Sequence, residues 1–392
     1  RHGFSCSTAL FKSTEDIQQG FDGSLFTVDV LLDFANAFGS VDHKLLIYKL
    51  KNYYNFNSTF CSLIDSFLSN RSQFVKCGSS VSTPLPVSYG VPQGSILGLI
   101  LFSIFINDLP KCLNHSNHIL FADDLQLYYQ CKPDDLSQAI DLINQDLSNV
   151  NIWAINNGIS LNNLKTKCIL FSRSPIDNLA LLPTPILNNT SVPYCTSVKN
   201  LGLMMDSQLK WSEHITLICR RTYYALSLMQ PFKHFISVNV KRHLVMNLIL
   251  PYFTYSDIVF SADLRCDAQK RLTVAFNACI RFISNIRRRE HVTPHYGALL
   301  NCSITSYMKL DLLCFIFKFL KGVAPPYLSH LFTAARSLRS KQLLMPQHSA
   351  ALSRSVGITG VRWWNALPRT VREAASYSAF RRGCLAHLSE NN

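Results

Sequence analysis

The sequence predicts an α+β fold over residues 1–205 and a nearly all-helical remainder. Three observations point there: two-residue alternation around Val28, apolar residues stepping by four and three after Leu136, and helical patterning from Trp211 to about Leu320. Of 392 residues, 48% are hydrophobic and 16% charged, which excludes a disordered, collagenous or coiled-coil chain. The length suits two or three domains with real cores.

The elements follow in order. Leu25–Asp33 alternates as a strand, with Val28, Val30 and Leu32 on one face and Thr27, Asp29, Leu31 and Asp33 on the other. Residues 43–55 and 58–69 read as helices, and Ile96–Leu109 as an apolar helix behind a Gly/Pro-rich loop. Ile119–Ala122 and Leu125–Tyr129, joined by Asp123-Asp124, read as a hairpin. Asp134 and Asp135 offer an N-cap to a helix whose apolar positions are Leu136, Ile140, Ile143, Leu147, Val150 and Ala154, and Gly158 stops it. Cys168–Ser172 is a strand, 176–195 a Pro- and Asn-rich loop, and Val198–Met205 a short hairpin. From Ala324 the tail carries Pro-Pro, Ser/Arg clusters and one late amphipathic stretch.

The longest apolar run, Ile96–Ile106, falls short of the ~18–20 residues of a membrane span, so no membrane is expected. The 13 cysteines are scattered with no CxxC, which argues against a disulfide framework or structural zinc. His115/His118 and His291/His295 have spacings a metal can use, but ordinary surface or core histidines explain them as well. No secretory pattern follows Arg1, so the expected location is intracellular, nuclear and/or cytoplasmic, with the true start of the protein upstream. Charge divides the chain: residues 1–200 hold 13 basic and 15 acidic side chains, residues 201–392 hold 25 and 9. A near-neutral first half and a basic second half suggest a site-bearing domain and a polyanion-holding one.

Three carboxylates stand out: Asp33 at a strand end and the pair Asp123-Asp124 at a hairpin tip. Tight hairpin turns favour Gly or Asn, and adjacent like charges repel, so Asp-Asp is a poor choice for folding alone. Two divalent ions held by carboxylates of neighbouring strands would resolve both, and would suit phosphoryl transfer. On spacing alone, a solvated acidic turn beside an unrelated Asp is the better reading.

The local sequence carries more. Leu32-Asp33-Phe34-Ala35-Asn36-Ala37-Phe38 with Ser40-Val41-Asp42-His43 resembles motif A of reverse transcriptases. Tyr89-Gly90-Val91-Pro92-Gln93-Gly94-Ser95, continuing to Phe105-Ile106-Asn107-Asp108-Leu109-Pro110, resembles motif B, and Leu120-Phe121-Ala122-Asp123-Asp124 motif C. His2-Gly3-Phe4 and Ser7-Thr8-Ala9-Leu10 are similar to the segment ahead of motif A. Gly158 to Lys167 is similar to motif D, and Lys199-Asn200-Leu201-Gly202 with Asp206, Leu209, Trp211 and His214 to motif E and its sequel. Ala324-Pro325-Pro326-Tyr327-Leu328 and Trp364-Asn365-Ala366-Leu367-Pro368 resemble the tail of non-LTR (LINE-type, jockey/CR1/L2-like) retrotransposon polymerases.

The resemblance implies a right-hand polymerase: partial fingers and palm over 1–205, a helical thumb over 206–300 and a basic C-terminal region over 301–392. It implies an RNA-directed DNA polymerase that adds dNTPs to a DNA primer 3′-OH on an RNA template with two Mg²⁺, Mn²⁺ being a possible substitute. Asp33, Asp123 and Asp124 with the Phe34 carbonyl would hold the metals. Phe38 would bar a ribose 2′-OH, or serve only as core packing. Gln93 and Gly94 would let template and nucleotide approach, and Lys165 would protonate the leaving pyrophosphate. Leu201 and Gly202 would form a primer grip. Arg220, Arg221, Lys241, Arg242, Arg287, Arg288, Arg289, Arg381 and Arg382 would meet nucleic-acid phosphates. Gly39 and Leu99 depart from the usual Asp and Pro. The triphosphate-binding cations of the fingers and an endonuclease are expected upstream of Arg1. A non-catalytic nucleic-acid-binding remnant of a retroelement is the alternative.

Overall fold

Ser5 starts the first helix: its hydroxyl accepts the Thr8 amide in a capping box, and α1 runs Cys6–Asp22. The computed structural model describes residues 3–287, 289–328, 331–333, 341–346 and 355–390. Its described residues form two units, one of Phe26–Leu170 with Ile176–Thr196, the other drawn from Arg1–Leu25, Phe171–Pro175 and Ser197–Asn392.

The first unit is built on a sheet. Strand β1 (Phe26–Leu32) is followed by helices α2 (His43–Asn52), α3 (Ser58–Leu68) and α4 (Ile96–Ile106), whose first turns are capped by the side chains of Asp42, Asn57 and Ser95. Strands β2 (Asn117–Phe121) and β3 (Asp124–Cys131) form the hairpin, and helix α5 spans Leu136–Asn156. Strand β4 (Lys167–Phe171) precedes the small hairpin β5 (Ile186–Leu187) and β6 (Thr190–Ser191), then β7 (Tyr194–Cys195). The sheet order is β7-β4-β1-β3-β2; β3 runs antiparallel to β1 and to β2, and β7 parallel to β4. Val28, Val30 and Leu32, with Leu125 and Leu127 of β3, bury one sheet face against Leu46, Ile64, Phe102, Phe105, Ile140 and Leu147. A one-residue slip of β1 would turn these side chains out of that core, so burial sets its register.

Several expectations need correction. Helix α4 ends at Ile106, and a 3-10 turn takes up Leu109–Cys112. Asp135 stands at the start of α5 but its side chain makes no cap bond, because a 3-10 turn over Pro133–Asp135 leads into the helix. The 176–195 segment is not wholly loop. Asn188 and Asn189 adopt φ of 49° and 60°, which turns β5 into β6, and β7 joins the main sheet.

The second unit holds the hairpin β8 (Ser197–Asn200) and β9 (Leu203–Asp206), then helices α6 (Ser212–Met229), α7 (Val238–Leu244), α8 (Leu250–Thr254), α9 (Asp257–Phe260), α10 (Cys266–Ser284), α11 (Ile304–Leu320), α12 (Val356–Ala366), α13 (Arg369–Arg372) and α14 (Tyr377–Glu390). The Asp206 carboxylate accepts the amides of Gln208, Lys210 and Trp211 at 3.1, 2.9 and 2.7 Å, and so folds the turn that buries Trp211 and launches α6.

The units do not follow a linear division at residue 205. Phe4 meets Tyr327 edge to face with ring centroids 5.3 Å apart, and the buried Glu15 carboxylate accepts the Gly357 amide at 3.0 Å where α12 begins. The segment ahead of motif A thus packs with the distant tail. No helix among the described residues is long and apolar enough to cross a membrane.

Candidate active site

Backbone pairing places the first two carboxylates. Leu32 pairs with Leu125, so Asp33 and Asp124 are the next facing residues where β1 ends and β3 begins. The hairpin turn is Ala122-Asp123, not Asp123-Asp124: Phe121 pairs with Asp124, and Ala122 takes the turn's positive φ of 52°. Asp124 is therefore a strand residue and Asp123 a turn residue, one position off the expected tip.

Electrostatics couples the three. Burial raises the Asp124 carboxyl above its ordinary range, and the negative charges of Asp123 and Asp33 raise it further. Asp33 Oδ2 is buried without a hydrogen-bond partner, and Lys165 Nζ stands 3.8 Å from it. Among the described residues, no three His, Cys, Asp or Glu side chains are gathered tightly enough to hold an ion as they stand. A divalent cation nevertheless fits this donor set. It would satisfy the orphaned carboxylate oxygen and relieve the repulsion, and hard oxygen donors suit Mg²⁺ or Mn²⁺.

Lys165 reaches Asp33 because the backbone ties their segments together. Phe34 and Ala35 pair with Leu161 and Ser160, and the Asn162 amide donates to the Asp33 carbonyl at 2.8 Å. Phe34 is buried in this pairing. Phe38, half-buried, stacks on Phe102 with centroids 4.1 Å apart. Its carbonyl accepts the Val91 amide, the Val41 carbonyl accepts the Gly90 amide, and the Gly90 carbonyl lies 2.7 Å from His43 Nε2. Motifs A and B are zipped together here. Gln93 and Gly94 are exposed, and Gly94 takes a φ of 83° with open space where a Cβ would stand. Ser95 caps α4 at its own helix start, so Leu99 falls on an exposed face rather than at the entry.

In the helical unit, Leu201 and Gly202 form the β8–β9 turn with φ of 41° and 89°. Tyr255 braces it: its hydroxyl donates to the Leu201 carbonyl at 2.6 Å, and a Cβ on Gly202 would stand 3.0 Å from its ring. Arg220 and Arg221 are exposed on α6. Arg287 and Arg289 are exposed but lie beyond the end of α10, not on a helix face; Arg288 lies outside the described residues. Arg242 and Arg382 are exposed, Arg381 half-buried. Lys241 is a correction: it is buried and donates to Asn285 Oδ1 at 2.7 Å, so it faces the interior rather than a phosphate.

Other structurally decisive residues escaped sequence reasoning. Lys49, buried, bonds Asp108 at 2.9 Å and fastens α2 to the segment after α4. Asp146, fully buried, accepts the amides of Asn114, His115 and Ser116 at 2.8, 3.1 and 2.7 Å and holds the approach to β2. His115 itself pairs with Gln145, a structural role. None of these partners stands at a telling spacing, so only the fold reveals them.

Carboxylates at the end of β1 and the start of β3, beside a segment zipped to a Gly-flanked loop, frame this site, and family comparison gives its class. Residues 8–205 match the model "Reverse transcriptase (RNA-dependent DNA polymerase)", and the chain belongs to that family. The chain is 26% identical over 298 residues to the Drosophila melanogaster "Probable RNA-directed DNA polymerase from transposon BS", covering 73% of this chain and 32% of that protein. It is 27% identical over 301 residues to the one from transposon X-element of the same fly (72% and 31%). It is 26% identical over 247 residues to the "RNA-directed DNA polymerase from mobile element jockey" (60% and 26%). These relatives are named as RNA-directed DNA polymerases of transposons and a mobile element. The chain spans about a third of their length. Telomerase from Candida albicans superposes over 78% of this chain and 51% of its own at 13% identity and a TM-score of 0.36, a likeness too remote to carry detail.

Proposed function

We propose that this chain carries the polymerase centre of a non-LTR retrotransposon enzyme, which extends a DNA primer 3′-OH with dNTPs on an RNA template. One observation carries the reading: Asp33 follows β1 where Leu32 pairs with Leu125, Asp124 begins β3 with Asp123 in the adjoining turn, and the charges of Asp123 and Asp33 act on Asp124. Asp33, Asp123, Asp124 and the Phe34 carbonyl would hold two Mg²⁺ or Mn²⁺. When bound, such ions lower the pKa of an attacking hydroxyl and neutralise charge on the leaving group.

The chain's own residues do the rest. Lys165, exposed and 3.8 Å from Asp33, would give a proton to departing pyrophosphate. Phe38, held by its stack on Phe102, would crowd a ribose 2′-OH. Gln93 and Gly94 present backbone that template and nucleotide can approach closely. Leu201 and Gly202, braced by Tyr255, present a rigid turn to the primer. Arg220, Arg221, Arg287 and Arg289 would meet phosphates, supplying affinity without sequence choice. The work belongs inside the cell, in the nucleus and/or cytoplasm where template and target lie.

The test is primer extension on poly(rA)/oligo(dT) by the chain with its upstream fingers segment restored. It should require Mg²⁺ or Mn²⁺ and vanish in Asp123→Asn. Binding of template–primer without any metal-dependent extension would instead favour a non-catalytic nucleic-acid-binding remnant.

A further inference from the structure

Leu201 takes a left-handed backbone, with φ of 41°, in the turn between β8 and β9, and Gly202 follows at 89°. Asn200 pairs with Leu203, so these two residues make the whole turn. Hairpin turns with positive φ at both central positions favour Asn-Gly or Gly-Gly. A leucine at the first of them is strained, because its Cβ crowds the following carbonyl oxygen. Folding alone would place asparagine or glycine there. Strain kept at Leu201 therefore points to a use for the shape of this turn.

A separate observation shows what holds that shape. Tyr255, directly after α8, donates its hydroxyl to the Leu201 carbonyl at 2.6 Å. Its ring stands where a Cβ on Gly202 would meet it at 3.0 Å, so one side chain fixes both residues of the turn. Tyr255 is itself anchored, its amide donating to the Pro251 carbonyl at 3.0 Å. Beside it Ser256 is buried at a φ of 53°, with its hydroxyl 3.0 Å from that of Ser7 on α1. Left-handed residues thus flank a single hydrogen bond, and such backbone persists only where its surroundings over-determine it. Tyr255 is 42% exposed, so it adds little to the core.

We propose that Tyr255 is a positioning residue for the primer: its hydroxyl and ring hold Leu201 and Gly202 in the strained form that meets the primer 3′ end. The assignment rests on the primer-grip role given to that turn under the polymerase reading. It adds a residue that lies 54 positions beyond Leu201, outside motifs A to E. A relaxed turn would let the primer terminus shift while basic side chains still hold its phosphates. Rate is then at stake, and affinity is not.

The experiment compares Tyr255→Phe with the parent in two assays. The first is photocrosslinking on the 392-residue chain in EDTA, with thiothymidine at the primer 3′ end and the attachment site mapped by peptide sequencing. The parent should crosslink at the Leu201-Gly202 turn, and Tyr255→Phe should lower that yield about fivefold or more at equal bound template–primer. The second is primer extension by the chain with its upstream fingers segment restored. Turnover at saturating template–primer should fall roughly tenfold, the weight of one hydrogen bond, while the Kd for template–primer stays within about twofold. Adding Leu201→Asn to Tyr255→Phe should recover most of that turnover, because asparagine takes the left-handed backbone readily. The melting temperature should not move, since the hydroxyl lost is at the surface. A purely structural tyrosine would lose affinity and melting temperature together and gain nothing from Leu201→Asn, and that result would overturn the proposal. So would a parent that does not crosslink at the turn, or crosslinking and turnover unmoved in Tyr255→Phe. A parent that crosslinks there but never extends would instead overturn the polymerase reading, and the crosslinking yield of Tyr255→Phe still decides the role of Tyr255.

Discussion

Gly39 and Gly90 lie back to back: a Cβ built on Gly90 would stand 2.9 Å from the Gly39 Cα and carbonyl oxygen. A Cβ on Gly39 would in turn meet the Asn36 side chain at 2.5 Å. This contact seats motif A against motif B. A side chain at Gly39 would have to displace that of Asn36 within motif A.

Gly90 also adopts a φ of 88°, so Gly90→Ala adds backbone strain to the clash. It should cost about 2 kcal/mol or more in urea unfolding. Gly94→Ala, with φ of 83° but open space around it, should cost only about 1 kcal/mol. Equal losses would show that the Gly39–Gly90 contact contributes nothing.

Asp146→Ala should rank among the most damaging single changes in the sheet unit. It leaves three amides unpaired, and at about 1 kcal/mol or more each the loss should reach about 3 kcal/mol by denaturant titration. A change under about 1 kcal/mol would mean that water takes over these amides.

Part of this fold was legible beforehand. β1, α2, α3 and α5 follow from apolar spacing, and all six apolar positions assigned to α5 are buried. The hairpin tip was misread because spacing cannot say which residue takes a positive φ; the pairing of β2 with β3 decides it and leaves Ala122 in that role. The β5–β6 turn was hidden because Asn188-Asn189 suits a loop and a tight turn alike. Lys241 looked like a phosphate contact because a buried lysine is rare; the Asn285 carboxamide and the Phe282 ring face make its burial tolerable. The facing of Asp33 and Asp124 was legible through motif order; the Lys165–Asp33 approach needed the Asn162 bond.

Stability should fall with rising pH, and Asp29 should be a principal cause. Burial pushes its carboxyl from 3.8 up to about 8, against the lowering effect of the Gln126 hydrogen bond. The folded chain then holds this proton more tightly than the unfolded one, so the contribution is whole below pH 3.8 and is lost as pH rises through about 8. Asp29→Asn should flatten the melting-temperature profile above about pH 7 and raise it most near pH 9. Glu15, pushed by burial from 4.5 to about 7, should leave a residual slope below that range. A variant with the parent's full slope above pH 7 would exclude Asp29 as the group.

Phe38→Val should lower selection of dNTPs over rNTPs roughly tenfold or more, the scale of one removed steric contact. It should also cost about 1–2 kcal/mol through the lost stack on Phe102. A stability loss with unchanged nucleotide selection, measured by competitive incorporation, would return Phe38 to packing alone.

The most direct measurement is the number of Mn²⁺ ions bound per chain, read by electron paramagnetic resonance with template–primer and dTTP present. A polymerase centre at Asp33, Asp123 and Asp124 should bind about two ions, with at least one lost in Asp33→Asn and in Asp124→Asn. An unchanged count in both variants would contradict that centre.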